Sequence, residues 1–158
     1  MPKICPLYYM SNVCEPNETI SEDILNATYD TTFAFVPPIT YGKVIKVYDG
    51  DTITIAAKLP YPQSPLYRIQ VRLNGIDTPE IKGGGKKEKD LAKMARDVLY
   101  AKIMNKIVYL KNMNSEKYGR VLADVYLDTV CINDWLIEQG LAIPYAGGTK
   151  NSPDEWLK

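Results

Sequence analysis

The sequence predicts a mainly β domain with some α-helix (α+β), in which five strands form a small, closed or nearly closed barrel with helices packed on it. Five β-rich segments lie between residues 41 and 127. One long helical pattern separates the third segment from the fourth, and a short helical pattern follows the fifth. The chain of 158 residues, 46% hydrophobic and 24% charged, is long enough for one such domain with a single core.

The first two strands are predicted to form a hairpin. Residues 42–48 are rich in β-forming side chains, Asp49-Gly50 is a strong tight-turn pair, and residues 51–56 alternate between apolar and polar side chains. A loop with three prolines follows, after which residues 67–76 alternate again. This second alternating segment predicts the third strand.

The remaining elements are two helices and two strands. Apolar side chains three and four residues apart predict a helix of about four turns over residues 88–104. Residues 107–110 and 121–127 predict the fourth and fifth strands. A short helix is predicted over residues 133–139 and ends at Gly140, a residue favoured after a helix C-terminus.

Residues 1–40 are predicted to be an acidic extension of a domain at residues 41–158. The extension carries one basic and five acidic residues, whereas residues 82–120 hold eleven Lys and Arg against four acidic residues, in a chain of zero net charge. Such a basic stretch attracts polyanions. Thr19 and Glu22 have capping-box spacing, which predicts one or two helical turns within the extension.

The composition excludes several classes of site. Histidine is absent, so Ser-His-Asp and Cys-His catalysis and histidine-based zinc sites are excluded. The three cysteines, Cys5, Cys14 and Cys131, are too few for a four-thiolate zinc site and are predicted to be free thiols, with pairing of Cys5 and Cys14 left open. No signal peptide or membrane span is recognised, which predicts an intracellular or virion-associated protein rather than a secreted one.

Three short polar stretches lie at the ends of predicted elements, at residues 49–52, 72–80 and 118–120. Each alone is an ordinary turn sequence. Together they resemble the staphylococcal nuclease (thermonuclease) family, in which an aspartate follows a hairpin glycine, an arginine lies five residues before Asp-Thr-Pro-Glu, and a second arginine follows Tyr-Gly. The resemblance extends over about residues 41–150. It implies a five-stranded OB-type barrel and a calcium-dependent phosphodiesterase that acts on DNA and RNA.

The resemblance also implies roles for individual residues. The implied catalytic residues are Arg72, Glu80 and Arg120; the implied metal ligands are Asp51, Asp77 and the Thr78 carbonyl; and the implied substrate-binding residues are Lys117, Tyr118 and Tyr145. Two carboxylates and a carbonyl form an oxygen-only donor set that suits Ca²⁺. Guanidinium groups stabilise the negative charge that develops on a phosphoryl group, because they are positively charged and donate two parallel hydrogen bonds. The implied products are a 3′-phosphate and a 5′-hydroxyl, with single strands preferred as substrates.

The sequence departs from the family pattern at both ends. The long C-terminal helix of the family is missing or only begun at residues 152–155, and the extension at residues 1–40 has no counterpart, so its role stays open between packing, inhibition and partner binding. Two alternatives to an active nuclease remain open. They are a catalytically inactive nucleic-acid- or peptide-binding module of the same fold, and a structural or assembly protein with a relic site.

Overall fold

The computed structural model describes residues 19–80, 85–116 and 118–148. The chain divides into two compact units, Met1–Phe35 and Val36–Lys158. The domain boundary that the sequence predicts at residue 40 stays a prediction. Among the described residues, no helix is both long enough and apolar enough to cross a membrane.

Strands dominate the described part of the chain, as the sequence predicts. In chain order its elements are α1 (Glu22–Leu25), β1 (Tyr41–Val47), β2 (Thr52–Ala57), β3 (Tyr67–Leu73), β4 (Ile76–Asp77), α2 (Lys86–Ile103), β5 (Ile107–Ser115), β6 (Val121–Leu127), β7 (Val130–Cys131), α3 (Ile132–Glu138) and β8 (Ile143–Pro144). The α+β prediction is therefore confirmed.

Strands β1, β2, β3, β5 and β6 form a closed barrel. Neighbouring strands pair in the order β3-β2-β1-β5-β6, and a parallel pairing of β3 with β6 joins the two ends. This closing pairing is short and aligns residues 71–73 with residues 121–123. The predicted five-stranded OB-type barrel with packed helices is confirmed. The predicted truncation of the C-terminal helix concerns residues 149–158, which lie outside the described residues.

The barrel is filled by the inward-facing apolar side chains of its strands, and the two longer helices pack on it. Helix α2 contacts β1, and α3 contacts β6. The helices add side chains spaced three or four residues apart to the same core, because that spacing places them on one helix face. The helical members of this core are Ala95, Leu99, Ile103, Ile132 and Leu136.

Two predicted strands have different ends in the structure. The third strand ends at Leu73 rather than residue 76, because Gly75 has a φ of 72° and turns the chain before β4. The fourth strand continues from the predicted end at residue 110 to Ser115. A register shift against β6 between Lys111 and Asn114 breaks the alternation there, so the sequence pattern ends before the strand does.

The helix predictions are confirmed in position and corrected in detail. Helix α2 begins two residues earlier than predicted, and its buried strip includes Glu88 and Ala92, whereas the apolar Met94 is exposed. The buried strip of the helix thus contains the small side chains of Ala92 and Ala95 beside Leu99 and Ile103. The capping box predicted from Thr19 does not form, because α1 is a single turn that begins after Ser21.

The cysteine prediction is tested at one position. Cys131 lies at the end of β7 and is a free thiol, as predicted. Cys5 and Cys14 lie outside the described residues.

A buried asparagine at the start of α3 holds the barrel closure in place. The Asn133 side chain accepts a hydrogen bond from the Val125 backbone N–H at 2.9 Å and donates to the carbonyl oxygens of Asn74 at 2.7 Å and Ala123 at 3.3 Å. One amide group thereby ties α3 to β6 and to the turn after β3. A buried backbone group that loses its partner costs free energy, so this bridge stabilises the closed barrel.

Asn133→Ala is expected to destabilise the protein by about 2 kcal/mol, because the buried Val125 N–H loses its acceptor and the Asn74 carbonyl loses the amide donor, while the Ala123 carbonyl keeps the Asn74 N–H. The free energy of unfolding measured in urea checks this. Glu138→Ala, an exposed position on the same helix, is the matched control and is expected to stay within about 0.5 kcal/mol of the parent chain. Equal stabilities of the two variants would contradict the role of the bridge.

Candidate active site

Two buried carboxylates meet at the mouth of the barrel. Asp51 follows the turn between β1 and β2 and is 4% exposed, and Asp77 ends β4 and is 7% exposed. The two segments touch at Gly50, where a Cβ atom would lie 2.9 Å from the Thr78 side chain. Only glycine therefore allows the hairpin turn to approach the segment that carries Asp77 and Thr78 this closely.

Arg72 lies between the two carboxylates. Its Nη1 donates to Asp51 Oδ2 at 2.6 Å, and its Nη2 donates to Asp77 Oδ1 at 3.5 Å and to the Ile76 carbonyl at 3.3 Å. Barrel pairing fixes this position, because β3 places Arg72 opposite Thr52 of β2 on one side and Leu122 of β6 on the other. One guanidinium thus compensates two buried negative charges.

The electrostatics around Asp51 leave negative charge in excess. Burial and the neighbouring Asp49 carboxylate raise the pKa of Asp51 to about 6, although Arg72 and a hydrogen bond from the Thr52 hydroxyl act in the opposite direction. A carboxyl group with a raised pKa is one whose charge is poorly compensated. An additional cation at this position would compensate it.

A second arginine approaches the site from the start of β6. Arg120 Nη1 lies 3.4 Å from Thr52 Oγ1, and its Nε donates to Glu116 Oε2 at 3.1 Å. The hydrogen bond from Arg120 lowers the pKa of Glu116, and the same pair holds the pKa of Arg120 above its ordinary value. Glu116 therefore anchors one edge of the guanidinium and leaves the other edge directed towards Thr52.

The carboxylates and Arg72 line a cleft of about 400 Å³. Its other lining residues are Tyr48, Asp49, Thr78, Pro79 and Glu80. Glu80 is exposed at the rim, and its backbone N–H lies 3.5 Å from Glu88 Oε1, at the start of α2. The structure therefore brings the three predicted metal-ligand positions together with Arg72 and Glu80 in one cleft, with Arg120 beside Thr52.

The predicted substrate-binding residues are placed in part. Tyr145 lines a groove of about 840 Å³ that shares Arg72 with the cleft, and its backbone N–H donates to the Gly75 carbonyl at 2.8 Å. Tyr118 is 72% exposed, with its ring centroid 5.7 Å from the Arg120 guanidinium carbon. Lys117 lies outside the described residues.

The oxygen-only donor set at the cleft fits a hard divalent cation. The Asp51 and Asp77 carboxylates and the Thr78 carbonyl provide oxygen atoms, the ligand type that Ca²⁺ and Mg²⁺ take in proteins. The buried charge of Asp51, which Arg72 compensates only in part, favours cation binding. Across the described residues, no group of three or more His, Cys, Asp or Glu side chains is arranged to hold a metal ion, so water would complete the shell.

Sequence analysis missed two side chains at the site. The sequence predicts Asp49 only as part of the hairpin turn, yet it lines the cleft and accepts a hydrogen bond from the Asp51 N–H at 3.2 Å. The sequence predicts no role for Glu116 beyond that of one acid in the basic stretch. Its position four residues before Arg120 was the available signal, because opposite charges at that spacing often pair, here across a tight turn rather than along a helix.

A family model described as staphylococcal nuclease homologue matches residues 70–156, more than half of the chain. The chain belongs to this family. The match includes both site arginines and Asp77, whereas Asp51 lies before it and is connected to the site by the geometry described above. The resemblance inferred from the sequence is therefore confirmed.

Relatives of the chain carry nuclease names. An uncharacterized endonuclease of Escherichia coli is 28% identical over 106 residues, which cover 66% of this chain and 61% of the relative. A probable endonuclease of Schizosaccharomyces pombe is 29% identical over 136 residues, which cover 77% of this chain and 59% of the relative. The thermonuclease of Staphylococcus hyicus is 37% identical over 102 residues, which cover 63% of this chain and 56% of the relative. The chain spans about three fifths of the length of these relatives. The family and these names support a nuclease.

Asp51→Asn is expected to stabilise the metal-free protein at about pH 8. The folded pKa of about 6 lies above the ordinary 3.8, so ionisation of Asp51 removes stability as the pH rises between these values. The free energy of unfolding of the variant should therefore exceed that of the parent by about 1–3 kcal/mol at pH 8, which raises its melting temperature. The difference should fall towards zero near pH 4.

Melting curves in chelator across this pH range check the prediction. Asp97→Asn, which changes a carboxylate whose side chain is 65% exposed on α2, is the matched control. A stability difference that does not depend on pH, or that matches the control, would contradict the account of Asp51.

Proposed function

We propose that this chain is a calcium-dependent nuclease that hydrolyses phosphodiester bonds of DNA and RNA. The observation that carries the proposal is the placement of Arg72 between two buried carboxylates, in a cleft that Arg120 approaches from the other side. Buried acids, an oxygen donor set and two guanidinium groups are the chemistry that phosphoryl transfer to water requires.

Asp51, Asp77 and the Thr78 carbonyl are the proposed ligands of the cation. They fit Ca²⁺ better than Mg²⁺, since Ca²⁺ accepts irregular oxygen shells, whereas Mg²⁺ demands near-ideal octahedral geometry and loses its waters reluctantly. A bound ion would supply positive charge that stabilises the phosphoryl group. The negative charge of the buried Asp51, which is poorly compensated, would favour its binding.

Arg72 and Arg120 are proposed to hold the phosphate. Each guanidinium is planar, is charged at any working pH and donates two parallel hydrogen bonds to phosphate oxygens. Glu116 holds Arg120 through its Nε and Thr52 contacts its Nη1, so Nη2 and the second Nη1 hydrogen are the donors proposed for the substrate. Donors aimed at developing charge stabilise the transition state more than the ground state, which increases the catalytic rate.

Glu80 is proposed to orient and activate the attacking water. Its position at the cleft rim, exposed and two residues beyond Thr78, leaves room for a water between the carboxylate and the phosphorus. The water oxygen bonds to phosphorus while the bond from phosphorus to the 5′ oxygen breaks, and the proton ends on that oxygen. The products are a 3′-phosphate and a 5′-hydroxyl.

The groove beside the cleft is proposed to hold the nucleotides that flank the scissile bond. Tyr145 lines it and Arg72 joins it to the cleft, and Tyr118 stands beside Arg120. Bases of single strands are free to stack on tyrosine rings, so single strands are the proposed preferred substrates. Lys117 is proposed to contact the phosphate backbone.

Cleavage of single-stranded DNA is expected in the presence of Ca²⁺, with little cleavage when Mg²⁺ replaces it and none in chelator. Gel analysis of an end-labelled oligonucleotide, with the product ends identified by phosphatase and kinase treatment, checks the metal and the cleaved bond together. Full activity in Mg²⁺ with Ca²⁺ chelated would contradict the ligand assignment. Binding without cleavage under every metal condition would favour the inactive binding module instead.

Arg72→Lys is expected to lower kcat by about 10²–10³, because an ammonium group keeps the charge but cannot make the planar two-pronged contact with phosphate. Single-turnover and steady-state cleavage rates check this. Arg68→Lys is the matched control, since Arg68 is on the same strand with an exposed side chain, and its rates should stay near those of the parent. Near-normal turnover by Arg72→Lys would remove Arg72 from the mechanism.

A further inference from the structure

The outer face of β1 carries an ordered set of tyrosines and lysines. Tyr41, Lys43 and Lys46 on the strand and Tyr48 just after it are all exposed, and the residues between them are buried or half-buried. Simple alternation would put Lys46 and Tyr48 on the opposite face from Tyr41. A register shift between residues 44 and 46 returns them to the outside of the barrel. The strand therefore presents all four side chains to the same side.

The set continues across the neighbouring strands. Tyr41 pairs directly with Tyr109 of β5, and Tyr109 pairs with Tyr126 of β6, so the three rings lie side by side on one face of the sheet. The ring centroids of Tyr41 and Tyr109 are 6.1 Å apart. Lys111 Nζ lies 4.3 Å from the centroid of Tyr126. We call this set of residues the tyrosine–lysine track; its members are Tyr41, Lys43, Lys46, Tyr48, Tyr109, Lys111 and Tyr126.

Lysines predominate in the charge of the track. Neither β1 nor β5 contains an aspartate or a glutamate. Asp124 of β6 faces the track opposite Lys111, and its carboxylate oxygens accept hydrogen bonds from the side-chain amides of Asn74 at 3.1 Å and Asn112 at 2.6 Å. Exposed aromatic faces with amines beside them are the features that bind stacked bases and the phosphates between them.

The track begins at the proposed active site. Tyr48 lines the catalytic cleft, and Lys46 Nζ lies 5.6 Å from the centroid of its ring. From Tyr48 to Tyr41 the strand covers about 20 Å at its usual rise per residue. A strand of nucleic acid that leaves the cleft past Tyr48 therefore meets lysines and then the paired rings of Tyr41 and Tyr109.

We propose that the tyrosine–lysine track binds the part of a single-stranded polynucleotide that extends beyond the cleft. Bases stack on the rings of Tyr41 and Tyr109, and phosphates lie beside the amines of Lys43 and Lys111. The proposal rests on the proposed function, because the same substrate occupies the cleft. The track makes the protein bind long strands more tightly than short ones. Because the track contacts no base edges, this binding has no sequence preference.

Fluorescence anisotropy in chelator tests the proposal without requiring cleavage. The probes are labelled oligothymidylates of about 20 and about 4 nucleotides, the longer of which reaches the track from the cleft. Tyr41→Ala/Tyr109→Ala is expected to raise the Kd of the long probe at least about fivefold, with the Kd of the short probe unchanged. Tyr100→Ala, a 51% exposed tyrosine on α2, is the control and should leave both values unchanged.

A second variant keeps the test valid if the tyrosine variant loses its fold, which melting curves reveal. Lys43→Gln/Lys111→Gln is expected to reduce the slope of log Kd against log salt for the long probe by about 1.4, since each phosphate contact contributes about 0.7. Lys89→Gln/Lys93→Gln, two exposed lysines on α2, is the charge-matched control, and its slope should equal that of the parent.

Two results would overturn the proposal. One is that the tyrosine variant binds the long probe with the same Kd as Tyr100→Ala, and that the lysine variant has the same salt slope as Lys89→Gln/Lys93→Gln. The other is an equal loss of affinity for the short and long probes, which would place the effect in the cleft. The proposed function fails separately, when the parent chain cleaves neither DNA nor RNA with Ca²⁺ present. Where it holds, the folded tyrosine variant should retain the parent kcat on the short oligonucleotide.

Discussion

The parallel pairing of β3 with β6 is the contact on which the rest of the barrel depends. The other strand pairs of the barrel are antiparallel, and the hairpin of β1 and β2 forms locally, whereas this closure joins residues 71–73 to residues 121–123 across half the domain. Its residues also bring the two site arginines to the same end of the barrel, since Arg72 lies within the pairing and Arg120 directly precedes it. Asn133 fixes the same place through the Asn74 and Ala123 carbonyls. The contact that completes the fold therefore also assembles the proposed site.

The sequence predicted the parts of this fold that repeat a local pattern. Alternation located the second and third barrel strands, β-rich segments located the other three, and apolar spacing located α2, because burial on one face imposes those periods. The sequence could not predict the strand ends at which the two-residue alternation breaks. Asn112 has a φ of 50° beside the register shift in β5, and the pairing of β4 with β8 involves only two residues on each strand. Such features depend on contacts distant in sequence, which no local pattern records.

The candidate site was predictable to the extent that its residues fall in short motifs. Arg72, Asp77, Thr78 and Glu80 lie within nine residues, and the structure places all four in one cleft. Asp49 and Glu116 act only through neighbours, since one raises the pKa of Asp51 and the other anchors Arg120. The sequence offers little to mark a side chain that works by orienting or charging another. For Glu116 the spacing to Arg120 is a hint, and only the distance of 3.1 Å shows that the two side chains pair.

Arg72 serves both the fold and the proposed chemistry, and these two demands conflict. Without a cation, its guanidinium is the direct ion-pair partner of both Asp51 and Asp77, so the contacts that it makes in the folded chain are ones that the proposed catalysis must loosen. A cation held by the carboxylates would take over part of that compensation. The guanidinium would then have donors available for a phosphate, and binding of cation and substrate would favour each other. The excess of buried negative charge, unfavourable for stability alone, is in this view what prepares the cleft for a cation and a polyanion together.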